Sequence, residues 1–305
     1  MEKPNKIGYD EFLKSLSMFC IDEDLENKYK EEISKEVMSL STKLRSIDTE
    51  EGLREYIRSD KESLSRILSL LGVSEEKFKR IVSLIRRERR YTFSSEWSLS
   101  QTRQMMIEQP SFMDDICELL MNGSSSLRYK GKIPEYYLSS FCINQATMSR
   151  LINIDDLTRM VKQQLEVRYN TNASNSMCHS IEKTIEKACN ISGYSFDKNK
   201  YVDSLGYEFR YSIPSASNPR IVIEYSYNVT TSSTQSKLSN KMEITKQRIL
   251  DNDLNIVTVV LLEGAGWYGR QSDLKKLNIY ADYLLNLTHI DLLESIIFYA
   301  MEGQT

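Results

Sequence analysis

Apolar positions recur at helical spacing through the first half of the chain and at strand spacing only in the second. Over about residues 9–40, Leu25, Tyr29, Ile33 and Val37 fall every fourth residue among Glu and Lys, which predicts charge-laced surface helices. Ile67, Leu68, Leu70 and Leu71 lead to Gly72, a helix stop. Ser74 is a good N-cap for the next helix, whose apolar stripe is Phe78, Ile81, Val82 and Ile85. Further helices are predicted over about 99–108, 112–121, 134–141 and 154–165, with a loop by composition at GSSSLRYKGKIP. No strand period appears before about residue 195, so residues 1–167 read as an all-helical domain.

The pattern then changes. NTNASNSMCHS is polar and turn-prone, and residues 181–190 are helical with Ile181, Ile185 and Ala188 on one stripe. A short strand is expected at 194–197. Tyr207, Phe209, Tyr211 and Ile213 alternate with Glu208, Arg210 and Ser212, and Ile221, Ile223, Tyr225 and Tyr227 alternate with Val222, Glu224, Ser226 and Asn228. These are two strands of a hairpin. A Thr/Ser-rich loop (230–236), a helix (238–250) and the continuous apolar run IVTVVLL follow; the run reads as a strand buried on both faces. EGAGWYG turns the chain into closing helices over 272–287 and 290–301. The fold class is therefore α+β or mixed α/β: helices first, then over residues 168–305 a mixed sheet flanked by helices with a helical crossover.

The hairpin carries the candidate chemistry. Glu224 interrupts the otherwise apolar IVIEYSY, where an unpaired buried carboxylate is costly. It shares a face with Ser226, and a hairpin can bring Glu208 beside it. Two carboxylates on adjacent strands suit a hard cation such as Mg²⁺; the alternative is a pair of solvated strand residues. Glu182 and Glu186 stack one turn apart on the preceding helix.

Composition changes this picture little. Of 305 residues, 40% are hydrophobic and the net charge is −3, so the chain suits a sizeable core and any nucleic-acid binding must come from local patches. Two such patches exist: Arg86, Arg87, Arg89 and Arg90 at the end of the helix after Gly72, and Arg128, Lys130 and Lys132 in the loop. Helix, Gly turn and basic helix outline a DNA-reading helix-turn-helix, or else a helical hairpin with a dipole-favoured basic end. Five cysteines without CxxC spacing give neither a disulfide framework nor a zinc site. There is no hydrophobic signal region and no run of membrane-spanning length, so a cytoplasmic location without membrane contact is expected.

Six elements in order resemble the DpnII/MboI-like type II restriction endonucleases of the PD-(D/E)XK group, over about residues 168–293. They are RYNTNASNS, Glu182 in SIEKTIEKAC, Glu208 in YEF, Glu224-Tyr225-Ser226, Ser236-Lys237-Leu238, and Glu263-Gly264-Ala265-Gly266-Trp267-Tyr268. The resemblance implies a restriction-endonuclease-like α-β-β-β-α-β core, with Glu208, Glu224 and Glu182 as Mg²⁺ ligands. It places Ser226 where such nucleases keep Lys, Asn or another polar group to orient water, with Lys237 as a replacement. It implies Mg²⁺-dependent cleavage of double-stranded DNA at a short sequence by a homodimer. Glu at 208 and Ser at 226 depart from the pattern, so the alternative is a degenerate nuclease fold that binds DNA without cutting.

Overall fold

Alternation over Tyr207–Ile213 and Ile221–Tyr227 and the mostly apolar run Val257–Leu262 place three of the five strands, and helices with single apolar stripes account for most of the rest. The computed structural model describes residues 2–92 and 94–302. The chain begins with α1 (Tyr9–Ser15) and α2 (Glu23–Lys43), then α3 (Glu50–Ser59), α4 (Ser63–Leu71) and α5 (Glu75–Glu88). Next come α6 (Leu99–Glu108), α7 (Pro110–Asn122), α8 (Glu135–Leu138) and α9 (Gln145–Leu151), and the long α10 (Ile154–Ser192). The strands β1 (Asp197–Val202), β2 (Tyr207–Ile213) and β3 (Ile221–Tyr227) lead to α11 (Ser233–Asp251) and β4 (Val257–Glu263). The chain closes with α12 (Ala265–Tyr268), α13 (Gln271–Tyr280), β5 (Tyr283–Leu285) and α14 (Asp291–Glu302).

Two compact units result. One comprises Asn27–Val167; the other joins the residues up to Glu26 with those from Arg168 onward. The first is all-helical around Leu53, Ile57, Leu68, Phe78, Ile85, Phe112, Ile116 and Leu120. In it, Gly72 adopts the left-handed cap (φ 68°) between α4 and α5, and the Ser74 hydroxyl accepts the Lys77 amide. The sequence pattern groups residues 1–26 with the helical half. In the structure Ile7, Phe12 and Leu16 bury in the core of the sheet unit.

That sheet has the order β1-β2-β3-β4-β5. β1, β2 and β3 run antiparallel in turn, whereas β3, β4 and β5 are parallel, with α11 as the crossover between β3 and β4. Val222, Ile223, Val259 and Val260 are buried, as a central strand pair covered on both faces requires. This is the mixed sheet flanked by helices that the sequence predicts.

Four local expectations change. The strand expected at 194–197 begins only at Asp197 and runs to Val202 as β1. NTNASNSMCHS is not a turn but the middle of α10: no Gly or Pro occurs between Ile154 and Ser192, and Ala173, Met177, Cys178, Ile181 and Ile185 keep a buried stripe. The Thr/Ser loop is shorter, because Ser232 and Gln235 form a capping box that starts α11 at Ser233. The predicted helix over 272–287 ends at Tyr280, and Tyr283–Leu285 pairs with β4 as an edge strand. Among the described residues no helix is long and apolar enough to cross a membrane.

Candidate active site

The hairpin strands part company, and the candidate chemistry lies where they do. β2 pairs with β1 from Val202↔Tyr207 to Asp197↔Ser212. With β3 it pairs only at Tyr211↔Ile223, Ser212↔Val222 and Ile213↔Ile221, while β3 pairs with β4 along its whole length. The N-terminal half of β2 thus diverges from the C-terminal half of β3, opening a fork. Continued in register, Arg210 would face Glu224 and Glu208 would face Ser226, so Glu208 sits diagonally from Glu224 rather than directly beside it.

Lys241 enters this fork from α11. Its ammonium donates to the Glu224 carboxylate (Oε1) and to the Glu208 backbone carbonyl, and lies 4.1 Å from the centre of the Phe209 ring. The Glu224 side chain is only 14% exposed. Burial pushes its carboxyl above the usual carboxylate range, opposed by the Lys241 ammonium and by the amide and charge of Arg210. The Glu208 carboxylate is exposed and makes no hydrogen bond or ion pair among the described residues. Glu224, held by Lys241, and the exposed Glu208 on the diagonal position are the two carboxylates of the fork that could hold a hard cation retaining several waters.

The other expected site residues are placed as follows. The Ser226 hydroxyl accepts from Asn228 Nδ2 at 2.6 Å, and its carbonyl accepts from Trp267 Nε1 at 3.3 Å. Trp267 is fully buried, a turn anchor rather than a stacking surface. Glu182 is paired with Lys198 of β1. Lys237 is exposed, with no ion pair among the described residues. No group of three or more His, Cys, Asp or Glu that could hold a metal occurs among the described residues, so Glu182 does not join Glu208 and Glu224 in one cluster.

Lys241, absent from the sequence reading, is four residues after Lys237 and hence on the same helix face, which is the signal that could have found it. Arg210 was visible only as a polar position of β2. Its guanidinium reaches Cys178 Sγ at 3.3 Å and Asn199 Oδ1 at 3.5 Å.

The basic residues of the helical unit divide. Arg86 is buried: its guanidinium carbon lies 3.7 Å from the centre of the Trp97 ring, and it donates to Ser95 O and Thr92 O, both at 2.9 Å. Arg89 is paired with the buried Asp115, which Arg128 also reaches, and Lys132 pairs with Glu88 at 2.9 Å. Arg87, Arg90 and Lys130 are exposed. The N-terminal turn of α5, which a recognition helix would turn to the bases, is acidic, and its Lys79 and Arg80 pair with Glu75, Glu76 and Glu96.

A protein-family model described as the BanI C-terminal domain matches residues 144–299, just over half of the chain and all five strands of the sheet. No curated protein and no solved structure matches. The chain therefore belongs to the BanI C-terminal domain family, a family of restriction endonucleases.

Proposed function

We propose that this chain is a Mg²⁺-dependent type II restriction endonuclease. It hydrolyses phosphodiester bonds at a short specific sequence of double-stranded DNA, as a cytoplasmic homodimer with a site of the PD-(D/E)XK kind found in DpnII/MboI-like enzymes. The observation that carries this reading is Glu224, a desolvated carboxylate at the mouth of a strand fork, with the exposed Glu208 carboxylate one diagonal position away on β2.

Glu208 and Glu224 would hold the cation. When bound, Mg²⁺ supplies Lewis-acid polarisation of the phosphate and lowers the pKa of a coordinated water. The chain's own residues do the rest. Ser226, whose hydroxyl accepts from Asn228, contributes an uncharged polar group two residues along β3 from Glu224. Glu182 acts one layer back, through Lys198, and Lys237 is free to meet a substrate phosphate. Arg87, Arg90 and Lys130 serve as sequence-independent phosphate contacts, whereas Arg86 and Arg89 hold the helical unit together. Two-fold symmetry gives each protomer one strand of a palindrome.

The second reading, a DNA-binding protein with a degenerate site, draws on Ser226 and on the ion pair that occupies Glu224. Incubation with plasmids of known sequence and Mg²⁺ or Mn²⁺ separates the two. Discrete fragments carry the nuclease reading. Salt-dependent binding without cleavage in either cation selects the degenerate one.

A further inference from the structure

Ser226 leaves the fork without a cationic group on β3 to hold the attacking water, and the helix α11 delivers one from the other side. We infer that Lys241 is the residue that holds and orients the attacking water, doing from α11 what Ser226 cannot do from β3. The inference rests on the nuclease reading above and assigns one task within it.

Three observations converge. First, an ammonium has three N–H donors. Those of Lys241 reach Glu224 Oε1 and the Glu208 carbonyl, which leaves a third not taken by any oxygen or nitrogen of the described residues. Second, the ammonium is fixed. It is 17% exposed, tethered by an ion pair and a carbonyl, and set over the Phe209 ring, so little side-chain freedom remains to be lost on binding a water. Third, the alternatives are spent or distant. The Ser226 hydroxyl is already bonded to Asn228 Nδ2 at 2.6 Å and is uncharged. Lys237 is exposed, about 6 Å nearer the start of the same helix at 1.5 Å per residue.

In the step this supports, the oxygen of a water hydrogen-bonded to Lys241 forms a bond to phosphorus, and the bond from phosphorus to the leaving sugar oxygen breaks. The water's proton passes to bulk solvent, and the leaving oxygen takes a proton from solvent. Lys241 stays an ammonium throughout; it orients the nucleophile and offsets the negative charge that develops on it.

The pair has a second consequence. A positive charge on Glu224 competes with a divalent cation, so removing Lys241 frees the carboxylate for metal. A residue that merely held the fold would lower cleavage, cation binding and DNA binding together. Lys241 should separate them.

The test uses the full chain and four measurements: DNA cleavage in Mg²⁺, DNA binding without metal, Mn²⁺ binding by electron paramagnetic resonance, and thermal melting. Lys241→Ala is expected to lose about 100-fold or more in cleavage rate, as removal of a positioned donor at a reacting centre does. Its DNA binding should stay within about threefold, and its Mn²⁺ affinity should be equal to or tighter than that of the parent. Added ethylammonium should restore part of the rate, which rescue of a merely structural defect would not achieve. Lys237→Ala removes a phosphate contact rather than the positioned donor, so it should raise the DNA concentration needed for half-maximal cleavage and lose far less rate at saturating DNA than Lys241→Ala. If Lys241→Ala does not fold, Lys241→Arg keeps the charge and must still lose at least tenfold in rate, because the planar guanidinium misplaces the donor. Cleavage by either Lys241 variant near the parental rate, or an equal loss in Lys237→Ala, overturns the assignment while leaving the nuclease reading standing. A parent that cleaves no DNA in either cation overturns both.

Discussion

Arg86 gives the sharpest separation between a residue that reads DNA and one that holds a fold. Replacing it by Ala removes two charge-assisted hydrogen bonds, to Ser95 O and Thr92 O at 2.9 Å each, and a guanidinium stacked 3.7 Å from the centre of the Trp97 ring. Each such bond is worth roughly 1.5–3 kcal/mol and a desolvated cation–π contact about 2 kcal/mol. These terms overlap, so the expected loss is about 3–5 kcal/mol, a large part of the stability of a unit this size. Trp97 also packs on Tyr91 and Phe112, with ring centres 6.1 and 5.8 Å apart, so the cavity would spread into the core around α7. Arg86→Lys keeps the charge but not the planar fork, and should lose about half as much. Urea unfolding followed by circular dichroism reads both variants. An Arg86→Ala chain that unfolds at the parental urea concentration yet no longer binds DNA would refute the reasoning and return Arg86 to the duplex.

Other expectations follow from equally local observations. The Glu263 carboxyl is buried with both oxygens accepting backbone amides, Leu287 N at 2.6 Å and Ser17 N at 2.9 Å, and burial pushes its pKa up to about 7 from an ordinary 4.5. The folded chain therefore holds this proton where the unfolded chain has released it. Stability should fall as pH rises from about 4.5 through about 7, by at most about 3 kcal/mol. Melting curves over about pH 5 to pH 8 should show this slope in the parent and not in Glu263→Gln. Combined replacement of Arg87, Arg90 and Lys130 by Ala should weaken DNA binding and flatten its salt dependence while leaving the melting temperature unchanged. A Cβ on Gly266 would lie 2.3 Å from Thr230 O and 2.8 Å from Asn228 O, so Gly266→Ala should lower stability by about 1–3 kcal/mol in the same melts and slow cleavage by displacing the segment after β3.

The hairpin and the buried strand were legible because their periods are strict: Tyr207 to Ile213 and Ile221 to Tyr227 alternate, and Val257 to Leu262 is continuously apolar. β5 was not, because three residues after a helix carry no period of their own. The centre of α10 was misread from composition, since Asn and Ser there occupy the solvated face of a helix whose buried stripe, Ala173, Met177, Ile181 and Ile185, passes straight through. Arg86 could have been recognised: it falls eight residues after Phe78 and four after Val82, on the buried stripe of α5. Glu224 was visible as a carboxylate in an apolar strand. Its neighbours Arg210 and Lys241 were not, because the point at which β2 leaves β3 and the reach of Lys241 across the fork depend on tertiary placement.

The central claim is that the fork at Glu208 and Glu224 cuts DNA. Its most direct measurement is the cleavage of plasmid DNA in Mg²⁺ by the parent and by Glu224→Gln, with DNA binding and melting recorded on the same preparations. The account predicts discrete fragments with fixed ends from the parent. It predicts no cleavage by Glu224→Gln although that variant still folds and binds. Fragments of the same kind from both proteins would contradict it.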